Sequence, residues 1–511
     1  MENNNDIIDN NLLKYKYNNN NKIYLNFTLT ELETKIFDFL IHIKEKNNLN
    51  NTIIRVAGGW VRDKLLGIEN NDIDITVTNI NCNEFAVLIN KELYPNKYII
   101  GSSYKNNKKL KNLEIVKVPI YGIIIDIVNL SLDKNNKENP IFDAERRDIT
   151  INSLFYNLNE KKIENFCSES LNDIKNGIIN TPLNPEITFE YDTFIIFRLI
   201  RFALKYGFKI SDEINNVIYK NYKIYEENII KKIAKERIKT DLFKIFEDNR
   251  NNIGTFFYIL YKYKLINAFF IDCKNINSNE LTENLNNEII NMVNNVILGE
   301  YIFKYFKEKY NNENIIDKNS IINLYLILMT FNYYKYNAIN NTNSVCVNRV
   351  ILKKNLKVSY EILYFNTLIC KHMNEYIALV NKTEYNNLDT ISLIKVIDYN
   401  NLLIMTICCM TKEYYQNIKL DNIIKEIDLK LLDNLYKKYT NFYKYINENI
   451  MILNDFKLII SKKEIHELFN GISNKNMGIL IKLIEKKQLN NPNINKDEAI
   501  NYLKEEYKKL C

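Results

Sequence analysis

Asp72 and Asp74 stand two residues apart, a short way downstream of a glycine pair, Gly58 and Gly59, and an arginine, Arg62. The run Asp72-Ile73-Asp74-Ile75-Thr76-Val77 reads as a strand. Strand side chains alternate, so both carboxylates project to one face and Ile73 and Ile75 to the other. Two carboxylates that close repel each other unless a cation lies between them. Hard oxygen donors suit Mg²⁺, which completes its octahedron with substrate phosphates. Upstream, Ile53, Ile54 and Val56 lead into the Gly-Gly corner, where two missing Cβ atoms let backbone approach a bulky anion. Trp60–Leu66 reads as a short helix starting at that corner; a helix start favours phosphate, and Arg62 adds a charge-assisted contact. An isolated Asp-x-Asp is ordinarily surface charge. In this setting the combination points to phosphoryl or nucleotidyl transfer.

Three further groups of residues extend the pattern. Asp126 lies in the apolar run Tyr121–Leu130, where a carboxylate is costly unless paired or metal-bound. A third metal-site carboxylate from a neighbouring strand meets that condition. Arg146, Arg147 and Asp148 open a run through Asn152 to Asn157 that reads as a helix. Adjacent arginines beside carboxylates can neutralise a triphosphate and still be held in place, and Asn152 can both donate and accept, as ribose recognition requires. Asp192 is placed as an N-cap, and Arg198 and Arg201, three apart, share a face of the helix that follows.

The elements that must carry these residues can be read in outline. Leu25–Ile43 has helical spacing, as does Phe85–Ile89. Tyr104–Asn112, with Lys108 and Lys109, reads as a basic loop. Leu113–Val118 and Tyr121–Leu130 read as strands, Lys162–Phe166 as another, and Asp173–Ile179 as a turn into a short strand that can act as a hinge. From Asp192 onward the pattern is helical, through Ile210–Ile224 and Ala234–Phe246. Asn275–Ile316 reads as an exposed insertion and Asn337–Asn343 as a loop. Ile459–Ile484 is an apolar helical pattern broken at Gly471.

The chain has 511 residues, 46% hydrophobic, enough for two to four domains with sizeable cores. Its net charge of +7, from 69 basic and 62 acidic residues, is a mild bias compatible with nucleic acid. Eight cysteines without a Cys-x-x-Cys pattern suit a reducing compartment. Three histidines, far apart in sequence, argue against a histidine metal site. The start, Met1–Asp6, is polar and acidic, without signal or transit character. Ile321–Tyr334 is too short for a membrane span and is interrupted by Asn323 and Asn332.

Taken in order, four elements resemble the class II tRNA nucleotidyltransferases, the CCA-adding enzymes, and the related poly(A) polymerase head-domain family, in a eukaryotic flavour. They are Gly58–Asp63 with Asp72-Ile73-Asp74; Arg146–Ser153; Asp173–Gly177 continuing to Thr181-Pro182-Leu183; and Asp192 with Arg198–Ala203, followed by Lys235–Ile238. The C-terminal half matches weakly, through Lys463–Leu483. The resemblance implies an α+β chain: a polymerase-β-like head with a mixed sheet over 23–160 after a disordered 1–22. An all-helical neck (161–255), body (256–450) and tRNA-binding tail (451–511) would follow. It implies that Asp72, Asp74 and Asp126 hold two Mg²⁺ ions and that Gly58, Gly59 and Arg62 serve the triphosphate. Arg147, Asp148 and Asn152 would lie around ribose and phosphates, with Asp192, Arg198 and Arg201 in the nucleotide site. Asp173 and Gly177 would lie in a flexible element. The implied substrates are CTP, ATP and tRNA, handled by a monomer or weak homodimer in the cytoplasm, or in the nucleus or an organelle. The family selects the base with an acidic residue and an arginine three positions later. Here Asp192 is followed by Ile195, and Tyr191 stands where an acidic residue is usual. The alternatives are therefore a polymerase that adds only adenosines or part of the CCA end, a nucleotidyltransferase acting on a small molecule, and a catalytically silent RNA-binding protein.

Overall fold

The computed structural model describes residues 23–510 apart from 95–102, 106–113, 133–136, 248–251, 272–277, 311–316, 341–342, 384, 386–389, 391–392, 395, 399–400, 419–421, 455–457 and 492–493. The N-terminal segment 1–22 and most of the basic loop expected around Lys108 and Lys109 lie outside the described residues. The chain divides into two compact units, one formed by Met1–Asn275 with Asn355–Lys357 and the other by the rest.

The first unit opens with α1 (Glu31–Lys46), started by a capping box between Thr30 and Glu33. The Glu33 carboxylate does more than cap. It accepts from the Trp60 indole N–H at 2.9 Å and pairs with Lys64 at 2.7 Å, fixing α2 (Gly59–Leu65) against α1. Between them runs β1 (Ile54–Ala57), buried throughout. β2 (Asp74–Val77) and α3 (Cys82–Leu93) follow, then β3 (Ser103–Lys105), β4 (Glu114–Ile120) and β5 (Ile123–Asn129). After α4 (Pro140–Glu145) a 3-10 turn, Thr150–Asn152, leads into β6 (Leu154–Asn157) and β7 (Lys162–Asn165).

These strands make one mixed seven-stranded sheet in the order β3-β4-β5-β2-β1-β6-β7, with β2 and β5 parallel. Alternation sets its faces. Val116, Val118, Ile120, Ile125 and Ile127 are buried, and α3 packs on β4 and β5. Lys117, Asp126 and Val128 point to the opposite, more open face. The run from Ile149 to Asn157, which reads as a helix, is instead the 3-10 turn followed by β6. Pairing of Val56 with Tyr156 and of Tyr156 with Ile163 completes the sheet and overrides local propensity.

The helical part of this unit consists of α5 (Ser170–Asn176), α6 (Pro185–Tyr191), α7 (Ile195–Tyr206), α8 (Asp212–Lys232), α9 (Lys235–Glu247) and α10 (Ile253–Lys262). The Asp173 segment expected as a turn is therefore helical, ending at Gly177 in the left-handed conformation before the short strand Ile178–Ile179.

The second unit is mostly helical. Its first helix, α11 (Asn279–Tyr310), replaces the exposed insertion expected there. It buries Met292, Val293 and Val296, and its buried Asn294 bridges the Asn422 carbonyl (3.0 Å) and the Ile424 amide (2.8 Å). Asparagine abundance is thus not a surface marker in this chain. The loop expected at Asn337–Asn343 belongs to a hairpin of Asn337–Asn340 with Asn343–Cys346. Near the C-terminus, helices Lys462–Leu468, Asn474–Asn490 and Lys496–Leu510 share a core of Ile460, Ile465, Leu480, Ile484 and Leu503. No helix among the described residues is long and apolar enough to cross a membrane.

Candidate active site

The corner between β1 and α2 is built on Gly58, whose φ of 72° and ψ of −117° are open to glycine but not to residues with a Cβ. Its N–H donates to the Leu154 carbonyl at 2.9 Å, tying the corner to β6. A Cβ here would lie 2.6 Å from Arg147 Nη1 and 3.3 Å from the Asn152 carbonyl oxygen. The missing side chain therefore makes room for an arginine of this protein. α2 is seven residues long, so its dipole adds little and positive charge must come from side chains.

A cavity of about 800 Å³ opens beside this corner. Gly59, Arg62, Asp72, Asp74, Arg147, Asp148, Asn152, Arg198 and Arg201 all line it. Asp74 begins β2, while Asp72 precedes the strand, exposed, with its N–H donating to Asn70 Oδ1 at 2.8 Å. Burial, then the neighbouring Asp72 and Asp126, push the Asp74 carboxyl up to about 6, against the pull of Arg147 and Lys117. Asp126 stands directly beside Asp74 in the parallel β2–β5 register. It does not line the cavity, and both its oxygens accept from Lys117 Nζ at 2.8 Å.

This arrangement tests the fit of a divalent cation. Negative charge crowded enough to raise a carboxyl is what such an ion relieves, and oxygen-only donors suit Mg²⁺. Among the described residues no three ligating side chains gather closely enough to hold an ion by themselves. Asp72 and Asp74 fit as two ligands to an ion whose remaining positions go to phosphate and water. Asp126 is engaged by a lysine, an outcome its acidic character alone did not indicate.

Behind the carboxylates Arg62 and Arg198 belong to one connected network, while Arg147 pairs with Asp143 and Arg201 with Asp241. Arg62 Nε donates to Asp63 Oδ1 at 2.8 Å, and its Nη1 donates to Asn152 Oδ1. Asn152 Nδ2 donates to Asp148 Oδ1 at 2.9 Å, and Asp148 Oδ2 pairs with Arg198 at 2.9 Å. Tyr206 OH closes the far end on Asp63 at 2.9 Å. Both halves of the Asn152 amide are used inside the protein, so it aligns Arg62 with Asp148 where ribose recognition was expected. Burial works against the charge on Arg62, but Tyr206, Asp63 and Asp148 outweigh it and hold its pKa above the usual value. Burial likewise opposes ionisation of Asp148; Arg198, Asn152 and Arg147 reverse the sign and hold its carboxyl below the usual range. The side chains of Arg62 and Arg201 are 5% and 12% exposed, those of Arg147 and Arg198 23% and 33%. The first pair is built in; the second pair is open to a ligand. The site can therefore accept a multiply charged phosphate ester between a carboxylate edge and a guanidinium wall.

The family model for the poly(A) polymerase head domain matches residues 54–180. Over 354 residues, 66% of this chain and 68% of the relative, the sequence is 30% identical to tRNA nucleotidyltransferase cca1 of Schizosaccharomyces pombe. The chain belongs to the tRNA nucleotidyltransferase family. It is 32% identical over 248 residues to a mitochondrial CCA tRNA nucleotidyltransferase of Saccharomyces cerevisiae, a match spanning 43% of this chain and 44% of that protein. Among solved structures, a CCA-adding enzyme in complex with CTP superposes with a TM-score of 0.61 at 17% identity, covering 94% of this chain and 96% of that one. The Thermotoga maritima CCA-adding enzyme complexed with tRNA gives 0.57 at 17%, with the same coverage. At these identities the structural likeness establishes the fold.

Within the family's frame, two residues depart from expectation. Asp192 does not line the cavity. It ends α6, accepts the Phe194 N–H at 3.1 Å, and is gripped by Arg237 of α9 through two bonds of 3.1 and 2.6 Å. Its placement as an N-cap is thus half met, since α7 starts at Ile195 with Phe194 as the capping residue. Ile195 is buried and also absent from the cavity wall. Arg146, read with Arg147 as able to neutralise a triphosphate, does line the cavity, and so do Lys205 and Lys244, which were not singled out. For Lys205 a signal was available: it follows Arg198 and Arg201 at helical spacing. Lys244, on α9, carries no such local signal.

Proposed function

We propose that this chain adds nucleotides to the 3′ end of tRNA without a nucleic-acid template, taking CMP from CTP and AMP from ATP to build a CCA end. The observation that carries the proposal is the meeting of the Asp72–Asp74 pair with Arg147 and Arg198 on the wall of one cavity. Related proteins named as CCA tRNA nucleotidyltransferases support the choice of substrate. In the reaction the RNA 3′-oxygen forms a bond to the α-phosphorus, and the bond from that phosphorus to the pyrophosphate oxygen breaks. Arg147 and Arg198 offset charge on the triphosphate. Asp143 holds Arg147 at 3.0 Å, and Asp148, aligned through Asn152 with Arg62, holds Arg198. Asp72 and Asp74 would hold Mg²⁺, two ions in the full reaction, which when bound supplies activation of the attacking hydroxyl and charge balance on the leaving pyrophosphate. The proposed compartment is the cytoplasm, with an organelle as the alternative suggested by the relatives named mitochondrial.

A second reading, addition of adenosine alone or of part of the CCA end, is favoured by one observation. Ile195 cannot hydrogen-bond a base, and the Asp192 carboxylate is occupied by Arg237. Poly(A) polymerase I of Escherichia coli matches over 31% of this chain at 31% identity. One assay separates the readings. A tRNA lacking its tail is incubated with CTP, with ATP, and with both, and the products are sequenced. CCA ends are expected with both nucleotides, and adenosine alone would favour the second reading. Asp72→Ala and Asp74→Ala should each abolish incorporation and leave tRNA binding intact; retained turnover in either purified variant would reject the assignment.

A further inference from the structure

Lys117, Asp126 and Asp74 form a single row across three adjacent strands. Asp126 faces Lys117 in the antiparallel β4–β5 pair and Asp74 in the parallel β5–β2 pair. The row is set by the turn: Tyr121 and Gly122 both have positive φ, 48° and 89°, the two-residue hairpin geometry that fixes Ile120 opposite Ile123 and hence Lys117 opposite Asp126. The ion pair is two-pronged, 2.8 Å to each oxygen, with the Asp126 side chain 24% and the Lys117 side chain 47% exposed, so the ammonium can leave for water. Asp126, which stands beside Asp74 in the β2–β5 register, is therefore already matched by a cation belonging to the chain, whereas among the described residues no ion pair bridges Asp72 or Asp74.

We propose that Lys117 is a tethered counter-cation that competes with divalent metal for Asp126. Metal then enters through Asp72 and Asp74, and Asp126 joins only when the ammonium swings away. The proposal rests on the reading of Asp72 and Asp74 as ion ligands. It makes Lys117 a positioning residue, acting through Asp126 and through its charge on the neighbouring carboxylates.

The test measures Mn²⁺ binding to the full-length protein by the loss of the free-ion paramagnetic resonance signal beyond the loss that the same CTP causes without protein, with RNA absent so that no transfer occurs. Lys117→Met should bind Mn²⁺ on the order of tenfold more tightly than the wild type, because Asp126 is then free to join the ion as a further oxygen ligand. Lys117→Arg, which keeps the charge, should bind like the wild type. In an Asp126→Asn background the gain from Lys117→Met should fall below twofold, the non-additivity expected of partners in one network. Equal affinity of wild type and Lys117→Met, or an undiminished gain in the Asp126→Asn background, overturns the competition. Absence of Mn²⁺ binding by the wild type overturns the reading of Asp72 and Asp74 and this proposal with it. Lys117→Gln, a shorter neutral side chain, repeats the comparison if the methionine variant does not fold.

Discussion

At Gly58 one absent side chain decides how the phosphate wall is built. The backbone there occupies a region closed to other residues, and the space a Cβ would fill holds the Arg147 guanidinium. Gly58→Ala should therefore do two things. Backbone strain should lower stability by about 1–3 kcal/mol, read as a drop in thermal midpoint. Displacement of Arg147 should lower kcat/KM for CTP by tenfold or more, whereas tRNA affinity stays near that of the wild type. Wild-type kinetics in a folded Gly58→Ala protein would show that Arg147 has room to give way. The glycine pair and the Asp72–Asp74 spacing were legible because each is local: two neighbours, and two residues on one strand face. The duty of Asn152 was not, because it depends on Arg62, 90 positions away in the chain, using one side of the amide, while Asp148 uses the other. The grip of Arg237 on Asp192 spans 45 positions and has no local signature either.

Among the elements, Leu113–Val118 and Tyr121–Leu130 read as strands and are β4 and β5, but the Tyr121-Gly122 turn that sets Lys117 opposite Asp126 reads as part of the second strand. The helix read into 149–157 failed because strand pairing with β1, not propensity, settles that segment. The short α5 lies against the 3-10 turn that presents Asn152, and a hydrogen bond ties the two: the Thr150 hydroxyl donates to Asp173 Oδ2 at 2.6 Å. Burial pushes the Asp173 carboxyl up to about 6, with Glu169 adding to the effect and the Thr150 bond opposing it. A folded-state value raised above the unfolded one of about 3.9 means that the native protein holds its proton more tightly. The stabilising contribution is complete below pH 4 and is lost as pH rises through 6. Asp173→Asn keeps an oxygen for Thr150 and cannot ionise. Its thermal midpoint should match the wild type near pH 4 and exceed it above pH 6.5, by an amount equivalent to at most ~3 kcal/mol. A wild type that outlasts the variant at pH 7 would mean that the ionised carboxylate is the form the fold prefers.

The whole molecule comprises two units, each with its own core, and every residue lining the cavity belongs to the first. Little of the second unit was legible. Its helices are held partly by buried asparagines such as Asn294 and Asn348, residues that read on the page as polar insertions. A ligand stabilises the part of a protein that must be folded to bind it, and slows the exchange of amides that open only when that part unfolds by a factor of about 1 + [L]/Kd. With CTP and Mg²⁺ at a hundred times Kd, the slowest amides of β1, β2 and α7 should therefore exchange about a hundredfold more slowly. Those around Ile465, Leu480 and Leu503, which share a separate cluster near the C-terminus, should keep their rates. Mass-resolved hydrogen exchange on the full chain reads both regions in one sample. Equal slowing in the two would show that the units open together, and that the energy of nucleotide binding in the first reaches the C-terminal helices as well.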